Sequence, residues 1–243
     1  MSDKSAHPEQ ALSFGRAAAL YDRIRPPYPP DAVRWAIGDP PARVVDLGAG
    51  TGILTRALLA AGFDVVPVEP DEGMREQLAA ATPGTVALAG SAEAIPLPDG
   101  CVDAVVAGQA YHWFDRDRAH PEIARVLRPG GVFAPIWNVR DESVAWVAEL
   151  GRIASMTGQT QHAAERIDSF GPHFGPVRRA EFRHSVTQTP DGLVELVKSR
   201  SHYLTASPHR QAEMEAAVRD LARRLGPTVE LPYVTVVYRA ARL

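Results

Sequence analysis

The segment over residues 44–52, Val-Val-Asp-Leu-Gly-Ala-Gly-Thr-Gly, constrains the fold more than any other part of the chain. Its first four residues are typical of a short buried strand, which runs directly into a turn with three glycines. Residues 56–61 then predict a helix that ends at Gly62. Glycines at alternate positions permit positive φ and leave no Cβ where a ligand lies against the main chain. A strand, such a loop and a helix N-terminus together form the nucleotide crevice of a doubly wound α/β sheet.

The spacing of the glycines and of one carboxylate indicates which nucleotides fit. The dinucleotide fingerprint is Gly-x-Gly-x-x-Gly, whereas this chain has Gly48, Gly50 and Gly52, so the third glycine comes one position early. Residues 65–68 predict the second strand, and Glu69 stands at its end, 19 positions after Gly50. A carboxylate about 20 positions further on accepts hydrogen bonds from ribose hydroxyls in such folds. The crevice is therefore predicted to hold NAD or another adenosine-containing ligand.

Strands and helices are predicted to alternate through the first half of the chain. The predicted strands are 43–47, 64–68, 85–89, 102–107 and 131–137, and the helices between them are 52–61, 71–81 and about 117–127. This alternation favours a mainly parallel sheet with right-handed crossovers. After residue 140 the pattern predicts helices at 143–157, 190–203 and 208–225 and strands at 178–187 and 229–240.

Composition narrows the class of protein. The net charge of −3 gives no support to nucleic acid as a partner, because nucleic-acid-binding domains are usually clearly basic. A single cysteine, Cys101, excludes an intramolecular disulfide and makes a reducing cytoplasm the expected location. No apolar run approaches the roughly 18 residues of a membrane span, and the first residues show no apolar signal region, so no membrane partner is expected. The histidines show no metal-ligand spacing, and no metal site is predicted.

Several segments occur in the order found in one enzyme family. Residues 44–52 are followed by Glu69, by Ala-Gly-Ser-Ala-Glu at 89–93, by Val-Asp-Ala-Val-Val-Ala at 102–107 and by Arg-Val-Leu-Arg-Pro-Gly-Gly at 125–131. This ordered set resembles the class I S-adenosylmethionine (SAM) methyltransferases over roughly residues 40–137. Tyr-Asp-Arg-Ile-Arg-Pro-Pro-Tyr-Pro at 21–29 and Tyr-His-Trp-Phe at 111–114 are similar to motifs of the type-11 and trans-aconitate-methyltransferase-like branch.

The resemblance implies a Rossmann-like sheet of seven mostly parallel strands in the order 3-2-1-4-5-7-6, with helices on both faces. It implies that residues 1–40 form an N-terminal helical lid segment and that residues 41–243 form the methyltransferase domain, in which helical insertions at about 140–230 set acceptor specificity. The cofactor implied is SAM, with S-adenosylhomocysteine as the product. The residues expected to bind the cofactor are Asp46, Gly48, Ala49, Gly50, Thr51, Gly52, Glu69, Pro70, Ser91, Ala92, Glu93 and Gln109.

The aromatic motif at 111–114 follows the fourth predicted strand, at the carboxyl edge of the sheet, where ligands of such folds bind. We predict His112 as a general base near neutral pH, should the acceptor be a phenol or an alcohol. Tyr111 and Trp113 are predicted to bind substrate, either as an apolar wall or by facing the sulfonium through cation–π attraction. The alternative is that these aromatic side chains belong to the core.

Three residues of the N-terminal segment are also predicted to bind substrate, because the family folds this segment over the cofactor. They are Tyr21, Arg25 and Tyr28. The planar fork of the Arg25 guanidinium suits a substrate carboxylate. A surface or packing role for Arg25 agrees equally well with the sequence.

These observations predict a SAM-dependent methyltransferase, a monomer or homodimer, that acts on a small molecule with a carboxylate or hydroxyl group. One alternative is a non-catalytic SAM-binding protein. Another is an NAD(P)-dependent oxidoreductase, which the early third glycine and the absence of a Tyr-x-x-x-Lys pair disfavour. A nucleic-acid N-methyltransferase with an Asp/Asn-Pro-Pro-Tyr motif is disfavoured because residues 108–111 are Gly-Gln-Ala-Tyr.

Overall fold

The computed structural model describes residues 25–154 and 166–243. Its helices are α1 (Pro30–Ile37), α2 (Ile53–Ala60), α3 (Glu72–Ala81), α4 (Arg116–Val126), α5 (Ala145–Ile153), α6 (Pro190–Lys198), α7 (Ser201–Leu204) and α8 (Pro208–Leu225), with a 3₁₀ helix at Tyr111–Trp113. Its strands are β1 (Arg43–Leu47), β2 (Asp64–Val68), β3 (Val102–Gly108), β4 (Leu127–Arg140), β5 (Arg178–Gln188) and β6 (Val229–Ala241). Residues 1–24 of the predicted lid segment and the last residues of the helix predicted at 143–157 lie outside the described residues.

The described strands form one sheet in the order β2-β1-β3-β4-β6-β5. Strands β1 to β4 run parallel, whereas β6 is antiparallel to both β4 and β5. This arrangement confirms the predicted doubly wound, Rossmann-like fold. Because β1 to β4 are parallel, their carboxyl ends meet at one edge of the sheet, and ligands of open α/β sheets bind at that edge.

The sheet of the described residues has six strands and not the predicted seven. Residues 85–89 pair with β2 only through a single parallel bridge between Val68 and Leu88. The Leu88 amide donates to the Pro67 carbonyl (2.9 Å), and the Glu69 amide donates to the Leu88 carbonyl (3.0 Å). The next hydrogen bond of the ladder would need an N–H on Pro67, which proline lacks. The observed order is therefore the predicted order without its first strand.

The side chains of β4 alternate between two apolar clusters, one on each face of the sheet. Phe133 and Trp137 pack on the face covered by α4. Ala134 and Ile136 pack on the opposite face, which α1 and α2 cover. All four are buried, as expected for a central strand with helices on both faces. This packing holds the carboxyl edge of the sheet in place.

A third apolar cluster lies where α5, α6 and α8 pack against the start of β6. It includes Leu231 and Tyr233 of β6. The single helix predicted at 190–203 is interrupted between α6 and α7, where the Ser199 hydroxyl donates to the Leu196 carbonyl (2.8 Å). Such a bond competes with the helical ladder and helps to end α6. No described helix is both long enough and apolar enough to cross a bilayer.

Candidate active site

The glycine loop between β1 and α2 has the backbone geometry that its sequence predicts. Gly48, Gly50 and Gly52 have φ values of +69°, +56° and +86°. The amides of Gly48 and Ala49 both donate to the Val68 carbonyl at the end of β2, at 2.8 and 3.1 Å. The loop is thus tied to the neighbouring strand and turns sharply into α2.

The three glycines differ in what surrounds them. A Cβ on Gly48 would lie 2.7 Å from the Ala110 Cβ, and one on Gly52 would lie 2.9 Å from the Leu78 Cγ. These two positions need glycine for packing as well as for φ. A Cβ on Gly50 would meet no atom of residues 25–154 or 166–243 within 4 Å. The main chain at Gly50 therefore faces open space, where a ligand can approach the backbone closely.

Asp46 lies at the end of β1, directly beneath this loop, and is fully buried. Its Oδ2 accepts a hydrogen bond from the Thr55 hydroxyl (2.6 Å), while its Oδ1 is buried and accepts none from any described residue. Burial raises the pKa of the Asp46 carboxyl to about 7. A buried acceptor without a partner is costly, so Oδ1 is a suitable acceptor for a cationic donor such as a ligand ammonium group.

Glu69, at the end of β2, is also buried. Its two carboxylate oxygens accept hydrogen bonds from the amides of Gly50 and Asp71, both at 2.9 Å. Burial raises the pKa of this carboxyl group. The carboxylate thus fixes the glycine loop to the turn after β2, and each oxygen keeps a second lone pair for a ligand hydroxyl. The neighbouring Pro70 is exposed.

The remaining predicted cofactor residues of the loops lie in the glycine loop and in the turn at 91–93. Thr51 is buried, and its carbonyl accepts from the Arg56 guanidinium (3.1 Å). Ser91 and Ala94 close a short turn, and Ala92 within it packs into the core. Glu93 accepts from the Asp115 amide (2.9 Å), which joins this turn to the segment after the 3₁₀ helix.

Gln109 follows β3 and has a φ of +57°, which non-glycine residues rarely adopt. Its amide donates to the Ile136 carbonyl (2.8 Å), and its side chain donates to the Asn138 carbonyl (2.8 Å). Backbone conformations of this kind occur often at functional sites, where surrounding contacts hold them. Gln109 thus links the carboxyl ends of β3 and β4.

Asn138 is a buried residue at this edge that sequence reasoning missed. Its side-chain amide donates to the carbonyls of Pro26 (3.2 Å) and Pro27 (3.1 Å), and its Oδ1 accepts from the Thr235 hydroxyl (2.5 Å). Asn138 therefore attaches the N-terminal segment to β4 and β6. The one available signal was a polar side chain within an otherwise apolar predicted strand.

The structure places Tyr111 in the core. It is 1% exposed, its ring contacts those of Phe133, Trp137 and Phe170, and its hydroxyl lies 2.9 Å from His120 Nε2. This position favours packing over the predicted substrate wall.

His112 and Trp113 are placed differently from Tyr111. His112 is exposed, Trp113 is half-buried, and their rings lie 4.7 Å apart between centroids. The neighbouring Phe114 lies close to the glycine loop, because a Cβ on Gly48 would be 3.8 Å from its Cε1. The aromatic motif is therefore beside the loop, with His112 as its exposed titratable group.

The described part of the N-terminal segment covers the same edge. Tyr28 is buried, and its hydroxyl would lie 2.8 Å from a Cβ on Gly108 at the end of β3. Arg25 and Tyr28, together with one side of α2, line a pocket of about 400 Å³. Tyr21 lies outside the described residues.

Replacement of Tyr111 by Phe tests the core position. Loss of the hydrogen bond to His120 is expected to lower the free energy of unfolding by about 1–2 kcal/mol, with SAM affinity unchanged within about twofold. Urea unfolding and calorimetric titration with SAM measure the two quantities. Unchanged stability together with a clear loss of SAM or acceptor affinity would instead support the predicted contact with substrate.

Comparison with known proteins agrees with this geometry. Residues 45–134 match the model of a methyltransferase domain. An uncharacterized methyltransferase of Mycobacterium tuberculosis is 46% identical over 241 residues, which cover 96% of each chain. A malonyl-[acyl-carrier protein] O-methyltransferase of Methylococcus capsulatus is 38% identical over 51% of this chain and 49% of its own length.

A solved structure has the same fold. It is the structure of a protein from Anaeromyxobacter dehalogenans whose assignment as a type II methyltransferase is provisional. The two structures align with a TM-score of 0.63 at 24% sequence identity. The alignment covers 90% of this chain and 97% of that one. The fold, the glycine loop and the full-length relatives together show that this chain belongs to the class I SAM-dependent methyltransferases.

Proposed function

We propose that this chain binds SAM at the glycine loop and transfers its methyl group to a small molecule that carries a carboxylate or a hydroxyl. The observation that carries the proposal is the open space at Gly50, flanked by two buried carboxylates. A Cβ there would meet no atom of the described residues within 4 Å, and the Gly50 amide lies 2.9 Å from Glu69. Asp46 has an oxygen without a partner in the same part of the chain. These groups fit a ligand with hydroxyl donors and one cationic donor.

Asp46, Glu69 and the turn at 91–93 have proposed roles that their positions support. Asp46 Oδ1 would accept from the ammonium group, and Glu69 would accept from ribose hydroxyls through its remaining lone pairs. The turn at 91–93 would lie against the adenine. When bound, SAM supplies a methyl group activated by its sulfonium. The protein then contributes orientation and exclusion of water, which lower a barrier by about 7–11 kcal/mol in favourable cases.

The acceptor would lie on the side of the loop formed by residues 109–114 and by the N-terminal segment. The name of the partial relative from Methylococcus capsulatus specifies O-methylation, which supports oxygen as the accepting atom. The hydrogen bonds from Asn138 to Pro26 and Pro27 support a covering role for residues 1–40. In the same proposal the helices within residues 140–230 set acceptor specificity.

Calorimetric titration of the purified chain with SAM, S-adenosylhomocysteine and NADH tests the cofactor. Saturable binding of the first two and none of NADH is expected. Transfer of labelled methyl from SAM to a panel of small carboxylic acids and phenols then tests catalysis. Binding of SAM with no transfer to any acceptor would favour a non-catalytic SAM-binding protein, and binding of NADH alone would overturn the proposal in favour of an oxidoreductase.

Replacement of His112 by Ala tests its role as general base. With a phenol or alcohol as acceptor, the variant is expected to lose at least about tenfold in kcat while its SAM affinity stays within about twofold, because a base acts on the proton and not on the cofactor. With a carboxylate acceptor no proton needs to be removed, and kcat should change little.

Steady-state kinetics and SAM titration measure these effects, with His209→Ala as a control on an exposed histidine of α8. Equal losses of rate and SAM affinity would exclude His112 as a base, as would no loss of rate with a hydroxyl acceptor.

A further inference from the structure

A group of basic and aromatic side chains lies beyond Asn138 on the same edge of the sheet. Arg140 ends β4 and is the register partner of Tyr233 in β6, so their side chains extend from the same face of the sheet. Both residues are buried, at 3% and 2% exposure. Burial of a guanidinium carries a large desolvation cost, and Glu142 Oε1 lies 3.7 Å from the Arg140 guanidinium.

Two further arginines belong to other parts of the chain, and their charges act on Tyr233. Arg25 directly precedes Pro26, and the Pro26 carbonyl accepts a hydrogen bond from Asn138. Asn138 lies two residues before Arg140 in β4, so the two side chains share one face of the sheet. Arg200 lies in the interruption between α6 and α7, and these helices pack over the start of β6. We call Arg25, Arg140 and Arg200 the arginine cluster.

All three guanidinium groups lie close enough to Tyr233 for their charges to act on its hydroxyl. Burial raises the pKa of the Tyr233 phenol, and the positive charges of Arg200, Arg140 and Arg25 act in the opposite direction. His184 stacks on the ring of Tyr233 from β5, with 5.6 Å between ring centroids. The Tyr233 hydroxyl itself is buried and makes no hydrogen bond within residues 25–154 and 166–243.

A phenol hydroxyl without a partner among the described residues, together with three guanidinium groups, has the donor set of an oxyanion site. Arginine offers forked N–H donors that match carboxylate and phosphate oxygens, and a tyrosine hydroxyl adds one more donor. The cluster is also continuous with the candidate active site, because Gln109 donates to the Asn138 carbonyl. β4 is two strands away from β1 in the sheet, which corresponds to about 10 Å.

We propose that the arginine cluster and Tyr233 bind an oxyanionic group, a carboxylate or a phosphate, of the methyl acceptor. This oxyanionic group would hold the acceptor at a distance from the glycine loop. Binding energy that arises far from the reacting atom would then orient the acceptor. This inference rests on the proposed function. It adds Arg140, Arg200 and Tyr233 to the acceptor site and restricts the acceptor to anionic molecules.

Calorimetric titration of the full chain, with and without S-adenosylhomocysteine, tests the inference with three probes. These are glutarate, its neutral counterpart glutaramide, and inorganic phosphate. The variants are Tyr233→Phe and Arg200→Met. The matched controls are Tyr238→Phe, a buried tyrosine of β6 whose hydroxyl accepts from Arg179 (3.2 Å), and Arg183→Met, an exposed arginine of β5.

We expect at least one anion to bind saturably, glutaramide not to bind, and both variants to weaken anion binding at least fivefold while the controls do not. The anion that binds more tightly distinguishes a carboxylate from a phosphate. Tyr233→Phe removes a hydroxyl without a described partner, so the variant should fold with an unchanged thermal midpoint and decides the matter even if Arg200→Met does not fold.

Anion affinity in Tyr233→Phe equal to that of the wild type would overturn the inference, as would the absence of saturable anion binding. The proposed function fails separately, if the wild type does not bind S-adenosylhomocysteine. Intact S-adenosylhomocysteine binding without any response to anions contradicts only the inference about the arginine cluster.

Discussion

Gly50→Val is expected to weaken SAM binding at least a hundredfold, which corresponds to about 3 kcal/mol. The space that a Cβ would enter holds no atom of the described residues within 4 Å, so the new side chain would occupy the volume proposed for the ligand. The φ of +56° adds backbone strain of about 1–3 kcal/mol in a β-branched residue. The variant is therefore expected to lose both SAM affinity and some stability, and the two effects have to be separated.

Gly84→Val is the matched control for this experiment. Gly84 has a φ of +87°, and a Cβ there would also meet no described atom within 4 Å. It lies in the turn after α3, outside the glycine loop. Both variants should show similar decreases in thermal midpoint, and only Gly50→Val should lose SAM affinity. Calorimetry and thermal unfolding measure the two quantities. Retention of SAM affinity in Gly50→Val would contradict the placement of the cofactor at this loop.

Asp46→Asn is expected to stabilise the ligand-free protein at high pH and to weaken SAM binding. The folded-state pKa of about 7 lies above the ordinary value of 3.8. Between these two values the folded chain holds a proton that the unfolded chain has released, so the free energy of unfolding falls as the pH rises. Above pH 7 the folded chain carries the full free-energy cost of ionising the buried Asp46 carboxyl. An asparagine at this position does not ionise and avoids that cost.

The stabilising effect of Asp46→Asn should therefore be larger at pH 8 than at pH 5, by about 2–3 kcal/mol. The asparagine can still accept the hydrogen bond that Thr55 donates. SAM affinity should fall at least about tenfold, because a charge-assisted hydrogen bond to the ammonium group is lost. Urea unfolding at both pH values and titration with SAM test these expectations.

Asp103→Asn is a control in which the free energy of unfolding at high pH is expected to change in the opposite direction. Burial raises the pKa of the Asp103 carboxyl, but hydrogen bonds from the Arg43 amide and the Arg128 guanidinium outweigh this effect, and the pKa is lowered overall. Asp103 therefore stabilises the fold above its ordinary pKa, and its replacement should destabilise the protein at pH 8. An Asp46→Asn variant that also lost stability at pH 8 would show that the Asp46 carboxylate is stabilised in the folded chain.

Local sequence predicted most of the elements and the centre of the candidate site. The strand, the glycine turn and the helix after it are encoded within residues 43–60, and their φ values follow from the glycines themselves. The spacing to Glu69 reflects the length of one strand–helix–strand unit, so the hydrogen bond from Gly50 to Glu69 follows from a pattern that is readable along the chain.

Contacts between distant segments could not be read in this way. Asn138 is separated from Pro26 by 112 positions and from Thr235 by 97, and no local pattern pairs them. Residues 85–89 do not form a full strand because the Pro67 nitrogen, which cannot donate a hydrogen bond, faces them. The sequence does not show to which side of β2 this nitrogen points. The aromatic motif at 111–114 gave no indication of which ring enters the core, since Tyr111 is buried and His112, the next residue, is exposed.

The sequence by itself determined the doubly wound fold, the glycine loop and the family, because these depend on residues that are close along the chain. Only the tertiary structure decided that Tyr111 packs in the core and that the charges of Arg25, Arg140 and Arg200 act on Tyr233. Burial and charge clustering depend on sheet register and helix packing. These bring together residues from the N-terminal segment, from β4, from the link after α6 and from β6, which have no common spacing in the sequence.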